Sequence, residues 1–256
     1  MSLAMVTGAS GGLGLEFATL LAADKHDLVL IARSGDRLAS IATGLRARYG
    51  VAVETIAADL ADVDAAASIV ERVPSCDILI NNAGFANNGR FDELAGSAIR
   101  QEVLLDVLTV TELTRAYLPG MRARRFGRIM NIASTAGFLP GPYMAVYYAC
   151  KAYVISFSQA IAQELRGSGV TVTTFCPGAT ATGFAERAGM TKTRLFRMPV
   201  ANAAAVARSG YRSMLAGREL AIPGLSNKVL AFLPRVSPRR VLVAVSARLV
   251  EPPSNV

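Results

Sequence analysis

Ser134, Tyr147 and Lys151 are the residues whose types and spacing point to chemistry. Tyr147 and Lys151 stand four apart in a helical pattern, which stacks the phenol and the ammonium on one face. A phenol has a free pKa of about 10 and is a poor acid or base near neutrality. A fixed cation beside it favours the phenolate and lowers that pKa, so reversible proton transfer becomes feasible. Ser134 is delivered at the end of an apolar strand over Gly127–Ile132 and can hydrogen-bond a carbonyl oxygen as charge builds on it. Together the three groups suit hydride addition to a ketone or aldehyde, or the reverse reaction on an alcohol. A Tyr-x-x-x-Lys pair alone is weak, because a surface lysine beside a packed tyrosine has the same spacing. Tyr148 has no lysine at that spacing and is expected to pack, which leaves the chemistry to Tyr147.

Such groups need a scaffold. Leu3–Thr7 reads as a short buried strand, and TGASGGLG, from Thr7 to Gly14, leads into a helical pattern through Leu15, Phe17, Leu20 and Leu21. Glycines at 8, 12 and 14 permit a sharp turn and a close approach to a ligand, while free N–H groups at the helix start suit a pyrophosphate. The spacing is GxxxGxG and differs from the GxGxxG fingerprint. Asp27–Ala32 is a second apolar strand, followed by Arg33 where an acid gripping ribose hydroxyls would stand. Arg33, with Arg37 nearby, attracts a 2′-phosphate, so NADP(H) is expected over NAD(H).

Strands at 51–57 and 78–80 follow, with Asp59 and Leu60 past the end of the first and Asn82, Ala83 and Gly84 past the second. Asp59 suits either a cap on the next helix or a contact with adenine. Helical patterns fill the intervals, which predicts an α/β fold: a Rossmann-type doubly wound parallel sheet in a single domain, with ligand groups at strand carboxyl ends. A long helical pattern over 99–121 ends at Leu118-Pro119-Gly120, and the Tyr147 helix runs to about Leu165. After the strand Val170–Phe175 comes CPGATATGF, then a stretch over 184–198 that mixes Phe, Leu and Met with cations. That stretch suits a mobile lid or an ordinary surface connection. An alanine-rich helix over 201–216 and a strand over 219–222 complete the pattern.

Residues 1–224 are thus expected to form the dinucleotide-binding catalytic domain, and 225–256 a helical arm packed on it. The arm has amphipathic patterns over 228–233 and 241–250, interrupted by Pro234 and Pro238. It suits covering the core edge, closing the pocket or pairing subunits, ahead of lying on an anionic membrane surface.

The 256 residues, 52% hydrophobic, suit one compact domain. A mean hydropathy of +0.37 raises the question of a membrane span. Charge, Gly or Pro breaks each apolar run before the roughly 20 residues a span needs. The glycine-rich motif begins close to Met1, so no cleavable leader and a cytoplasmic location are expected. Cys76, Cys150, Cys176 and the single His26 form no metal-ligand or disulfide pattern, so no metal is expected. The net charge of +8 is spread out and concentrates late, with no aromatic-interleaved basic stripe. Nucleic acid is not expected as a partner; an anionic cofactor or acidic surface accounts for the excess as well.

As an ordered set, TGASGGLG, AADL, NNAG, Ser134, YYACK and CPGATAT resemble the short-chain dehydrogenase/reductase family over roughly residues 3–225. The resemblance implies that Tyr147 is the general acid/base, that Lys151 lowers its pKa and holds the nicotinamide ribose, and that Ser134 orients the substrate carbonyl. It implies that Gly8, Ser10, Gly12, Leu13 and Gly14 line the diphosphate site. Asp59 and Leu60 would meet the adenine, Asn82, Ala83 and Gly84 the adjacent ribose, and Pro177, Gly178 and Thr182 the nicotinamide side. Arg33 is similar to the position used by NADP(H)-preferring members.

One departure matters. Asp106 stands where many members carry an Asn of a proton relay to the lysine. If the relay uses the backbone carbonyl, Asp substitutes with little loss and Asp106→Asn leaves turnover within a few fold. If it needs an uncharged amide, the carboxylate perturbs the relay and pairs with Lys151. Asp106 is therefore a candidate fourth member. The resemblance implies carbonyl–alcohol interconversion on a small-molecule substrate, by a homodimer or homotetramer, and the Phe, Leu and Met content of the segments near 138–144 and 184–198 points to an apolar substrate. Two other readings are an NADP(H)-binding regulator without turnover and a membrane-peripheral lipid carbonyl reductase.

Overall fold

The structure, a computed structural model, describes residues 2–252. β1 (Leu3–Thr7) leads to α1 (Gly12–Ala23), β2 (Asp27–Ala32) to α2 (Gly35–Tyr49), and β3 (Val53–Ala57) to α3 (Ala65–Arg72). β4 (Ile78–Asn81) leads to α4 (Gly96–Val103), which passes through a π-helical turn at Leu104–Thr109 into α5 (Val110–Ala123). β5 (Gly127–Ile132) is followed by a 3₁₀ turn at Thr135–Phe138 and α6 (Ala145–Glu164). β6 (Val170–Phe175) leads to the short α7 (Phe184–Arg187) and α8 (Arg194–Arg197), then α9 (Ala203–Leu215) and β7 (Leu220–Ala221). α10 (Leu225–Phe232) and α11 (Arg239–Val250) follow.

Among the described residues the strands form one seven-stranded sheet in the order β3-β2-β1-β4-β5-β6-β7, every pairing parallel. This is the Rossmann-type α/β fold predicted from the alternation of apolar strands and helices. The central strands β1, β2 and β4 are largely apolar on both faces because helices cover both. Val6, Leu28, Leu30, Ile80 and Phe175 pack with α1, α2 and α9. Their neighbours in sequence, Met5, Val29, Ile31 and Leu79, turn to the other layer with α3 and α5. The chain reverses direction across the sheet between β1 and β4, and the crevice at their carboxyl ends is where such sheets take ligands.

Two features of the 99–121 pattern differ from expectation. The helix continues through Pro119 to Ala123. Pro119 and Arg115, whose carbonyl loses its partner, are both exposed, which leaves the orphaned group open to water. The pattern is also not a uniform helix, since Leu104–Thr109 widens into a π turn. Thr109 Oγ1 donates to the Leu104 carbonyl at 3.1 Å and to the Leu60 carbonyl at 2.6 Å, which pins the wide turn against the end of β3. π turns inside α-helices recur at functional sites, and this one carries Asp106 into the interior.

The 184–198 stretch folds as α7 and α8. α11 ends beneath it: Val250 is buried with Met144, Tyr147, Ala185 and Met190, and its carbonyl accepts from Asn88 Nδ2 at 2.8 Å. Ser246 Oγ donates to the Pro140 carbonyl at 2.6 Å. Leu225, Phe232, Val236 and Val241 of the same arm stay exposed. Among the described residues no helix is long and apolar enough to cross a membrane.

Candidate active site

Tyr147 and Lys151 lie on consecutive turns of α6, and Ser134 follows β5 as the cap of the 3₁₀ turn, its Oγ accepting from Ala136 N at 3.1 Å. Lys151 Nζ is 5.5 Å from the centre of the Tyr147 ring, and the Phe184 ring is 5.4 Å from it on a tilted contact. Both Tyr147 and Lys151 are buried. Tyr148 is buried too, its ring lying against Gly141, a packing role in line with its lack of a lysine partner.

Lys151 Nζ donates to Asp106 Oδ1 at 2.6 Å and to the Ile132 carbonyl at 3.2 Å. Asp106 Oδ2 accepts from Phe85 N at 3.3 Å. Of the two possibilities left open for Asp106, the structure shows the carboxylate itself paired with Lys151. Gly84 is required beside this pair, because a Cβ there would stand 2.6 Å from Asp106 Oδ1.

The charges act against one another. Burial pushes the Tyr147 phenol above its ordinary pKa; the Lys151 ammonium pulls it down, Asp106 pushes it up again, and the Ser134 hydroxyl lowers it. Lys151 thus lowers the Tyr147 pKa as expected from the sequence, but burial outweighs it and the net direction is upward. The phenol is out of water, and the cation meant to favour the phenolate already faces a carboxylate. Burial disfavours the Lys151 charge, but Asp106 and then Tyr147 outweigh it and leave the amine raised and protonated. The Asp106 carboxyl sits above its usual range because burial exceeds the opposing pull of Lys151.

A second acid went unnoticed in the sequence. Glu102 is 1% exposed, and its Oε2 accepts from Asn87 Nδ2 at 2.6 Å and Asn87 N at 3.3 Å. Burial pushes its carboxyl up to about 7, with Asn87 opposing and Asp106 adding to the shift. The available signal was its place four residues before Asp106, which puts two acids on one helix face.

The glycine turn between β1 and α1 fits an anionic diphosphate. Gly8 and Gly12 have φ of 66° and 54°, and a Cβ on Gly14 would stand 2.3 Å from the Gly8 carbonyl oxygen, so side chains are shut out where the backbone must approach a ligand. The Arg37 guanidinium lies against Gly11 and Thr182 against Gly12. Arg33 is exposed directly past β2, and Ser10 is half-buried in the turn. Leu13 packs into the core, which leaves its backbone to the turn.

Other expected contacts are partly occupied. Asn82 Nδ2 donates to the Thr7 carbonyl at 2.9 Å, and the N–H groups of Asn82 and Ala83 donate to Thr7 Oγ1 at 2.9 Å, tying β4 to β1. Asp59 Oδ1 accepts from Ala61 N at 3.1 Å in a local turn, and α3 starts only at Ala65, so Asp59 is not that helix's cap. The Leu60 side chain is buried in the core. The Pro177 carbonyl accepts from Thr135 N at 3.0 Å, which joins the segment after β6 to the Ser134 turn, and Gly178 lies against Asn227 of α10.

A family profile described as short chain dehydrogenase matches residues 2–193. The ketoacyl reductase HetN of a Nostoc species is 37% identical over 191 residues, covering 73% of this chain and 64% of that protein. The human very-long-chain 3-oxoacyl-CoA reductase is 34% identical over 191 residues, covering 72% of this chain and 61% of that protein. The chain thus spans less than two thirds of either curated relative. A short-chain dehydrogenase from Sphingobium yanoikuyae, solved in complex with NADPH, superposes with a TM-score of 0.82 at 34% identity, covering 88% of this chain and 89% of that one. With the profile spanning most of the chain and the sheet order and glycine turn in agreement, the protein belongs to the short-chain dehydrogenase family of oxidoreductases.

Proposed function

We propose that this chain is an NADP(H)-dependent oxidoreductase that interconverts a carbonyl and an alcohol on a Ser134–Tyr147–Lys151 site, with Asp106 as the fourth member. The observation that carries the reading is the buried Tyr147 phenol with Lys151 Nζ 5.5 Å from its ring, on a helix packed against the turn that Ser134 caps. Bound NADP(H) supplies or accepts the hydride. Tyr147 gives its proton to the carbonyl oxygen in reduction and takes it back in oxidation. Ser134 donates a hydrogen bond to that oxygen, and Lys151, held by Asp106, steadies Tyr147 and the nicotinamide ribose.

Gly8, Ser10, Gly12, Leu13 and Gly14 hold the diphosphate, Asp59 and Leu60 the adenine side, and Asn82, Ala83 and Gly84 the ribose. Pro177, Gly178 and Thr182 support the nicotinamide. Arg33, with Arg37, takes the 2′-phosphate, and the NADPH bound by the Sphingobium relative supports that preference. The substrate is an apolar ketone: Met144, Phe184, Ala188, Met190, Leu195 and Val250 gather around Tyr147. The ketoacyl and 3-oxoacyl-CoA reductase relatives point to a ketone on an acyl chain. The 1–224 catalytic domain carries the 225–256 arm, of which residues 225–252 are described, packed on it. The protein works in the cytoplasm, which its free thiols suit, as a homodimer or homotetramer.

A cofactor-coupled screen of apolar ketones, aldehydes and alcohols with NADPH, NADP⁺, NADH and NAD⁺ tests this reading. Turnover with the phosphorylated cofactors, lost in Tyr147→Phe, is expected. Cofactor binding with no turnover on any carbonyl would favour a regulator instead.

A further inference from the structure

We propose that Glu102 is the proton-exchange group behind Tyr147, a buried acid that supplies a proton through Asp106 and Lys151 during reduction and receives one during oxidation. The inference rests on the proposed carbonyl–alcohol chemistry and deepens it. Glu102 touches neither substrate nor cofactor; it acts through other side chains and is a positioning residue.

Glu102 and Asp106 lie four residues apart where α4 runs into the π turn, and both are buried. The groups that bear on Glu102 are Asp106 from its own helical run, Lys151, Tyr147 and the Cys150 thiol from α6, and the neutral amide of Asn87 from the loop after β4. One ammonium thus serves two carboxyls, and its 2.6 Å contact goes to Asp106. Glu102 is the acid left without a counter-ion. Its Oε2 is held by Asn87, while Oε1 is buried with no hydrogen-bond partner among the described residues. A buried carboxyl with an unpartnered oxygen favours its protonated form, which turns that oxygen into a donor. Its pKa of about 7 lets this proton exchange near neutrality, whereas the Cys150 thiol, pushed up to about 12, stays protonated.

The proton balance closes. In reduction the Tyr147 proton goes to the substrate oxygen, Lys151 returns one to the phenolate, and the Glu102–Asp106 pair restores the ammonium. Solvent then reloads Glu102, so one proton is consumed per alcohol formed. Oxidation runs the same transfers backwards and releases one.

The test measures kcat and KM against pH in both directions for the full chain and for Glu102→Gln, and follows carboxyl protonation by infrared spectroscopy on cofactor-free protein. Wild-type kcat should fall for reduction, and rise for oxidation, as pH passes through about 7. Glu102→Gln should flatten both limbs and lower kcat by about tenfold, with KM changed less than about twofold. The infrared band of a protonated carboxyl should vanish over the same range in wild type and be missing from the variant. An unaltered limb in Glu102→Gln, or a wild-type spectrum without that titration, overturns the proposal. If Glu102→Gln does not fold, Asn87→Ala, which removes the amide that lowers the Glu102 pKa, should move the midpoint of the band to higher pH and so assign it to Glu102; an unmoved midpoint overturns the proposal. An absence of turnover by wild type would count against the carbonyl chemistry, and the infrared arm separates that outcome from the fate of Glu102.

Discussion

Lys151 Nζ and Asp106 Oδ1 stand 2.6 Å apart with both side chains buried, so the cation that serves Tyr147 is itself held by an anion. The pair ties α6 to the π turn and fixes where the ammonium sits. Burial is the main reason the Tyr147 pKa is raised, and Asp106 adds to it by offsetting part of the charge that favours the phenolate.

Breaking that pair strands a buried charge. Asp106→Leu leaves the ammonium facing the Ile132 carbonyl, at a cost of about 3–5 kcal/mol. A fall in Tm of roughly 10 °C is expected by calorimetry. Asp106→Asn keeps the volume and removes the negative charge that raises Tyr147. Its pH–rate limb for Tyr147 should move to lower pH, and kcat should fall by about tenfold, as in Glu102→Gln, because an amide cannot pass the proton on to Lys151; a limb that stays in place means the carboxylate charge is not felt by the phenol.

Tyr147→Phe keeps the ring packed on Phe184 and removes the proton. Its kcat should fall by about 10²–10⁴-fold. NADPH binding, followed by fluorescence, should persist. Ser134→Ala should cost about 10²-fold or more in kcat through the lost donor to the carbonyl oxygen.

Arg37 lies against Gly11 of the glycine turn, and Arg33 is exposed just past β2. Replacing both by Ala should raise KM for NADPH by about 10–100-fold, the worth of charge-assisted bonds to a phosphate, and leave KM for NADH nearly unchanged. Equal losses with both cofactors would place the arginines outside the 2′-phosphate site.

Glu102 links stability to pH. Its folded-state pKa of about 7 lies above the ordinary 4.5, so the folded protein holds this proton more tightly than the unfolded chain. The resulting stability is fully present below about 4.5 and is lost as pH rises through about 7. Relative to Glu102→Gln, wild type should therefore lose a few degrees of Tm between pH 5 and pH 8. Parallel Tm profiles for the two proteins would contradict the assignment.

Val250 closes the arm over the site. Val250→Asp places a carboxylate in the cluster that contains Tyr147 and Met190, and should destabilise the protein by about 2–4 kcal/mol. KM for apolar ketones should rise more than KM for NADPH. Unchanged kinetics would detach the arm from substrate binding.

Much of the fold was legible because its signals are local. The strands at Leu3–Thr7 and Asp27–Ala32 are short, largely apolar runs, Val170–Phe175 is rich in β-branched Val and Thr, and Tyr147 and Lys151 share a helix face by spacing alone. The π turn was not legible, since one widened turn leaves the apolar pattern of a helix almost intact. Pro119 misled for the opposite reason: a residue that breaks a buried helix is tolerated where water can take the orphaned carbonyl.

By itself the sequence determined the order of elements and which chemical groups arrive at the ends of the strands, because backbone geometry and apolar periodicity depend on near neighbours. The tertiary structure alone decided the charge relations. Asp106 meets Lys151 across 45 residues of chain, Arg37 comes to rest on Gly11, and Glu102 is shut away from water. Electrostatic interactions depend on distance through space and on the loss of solvent, and neither can be read along the chain.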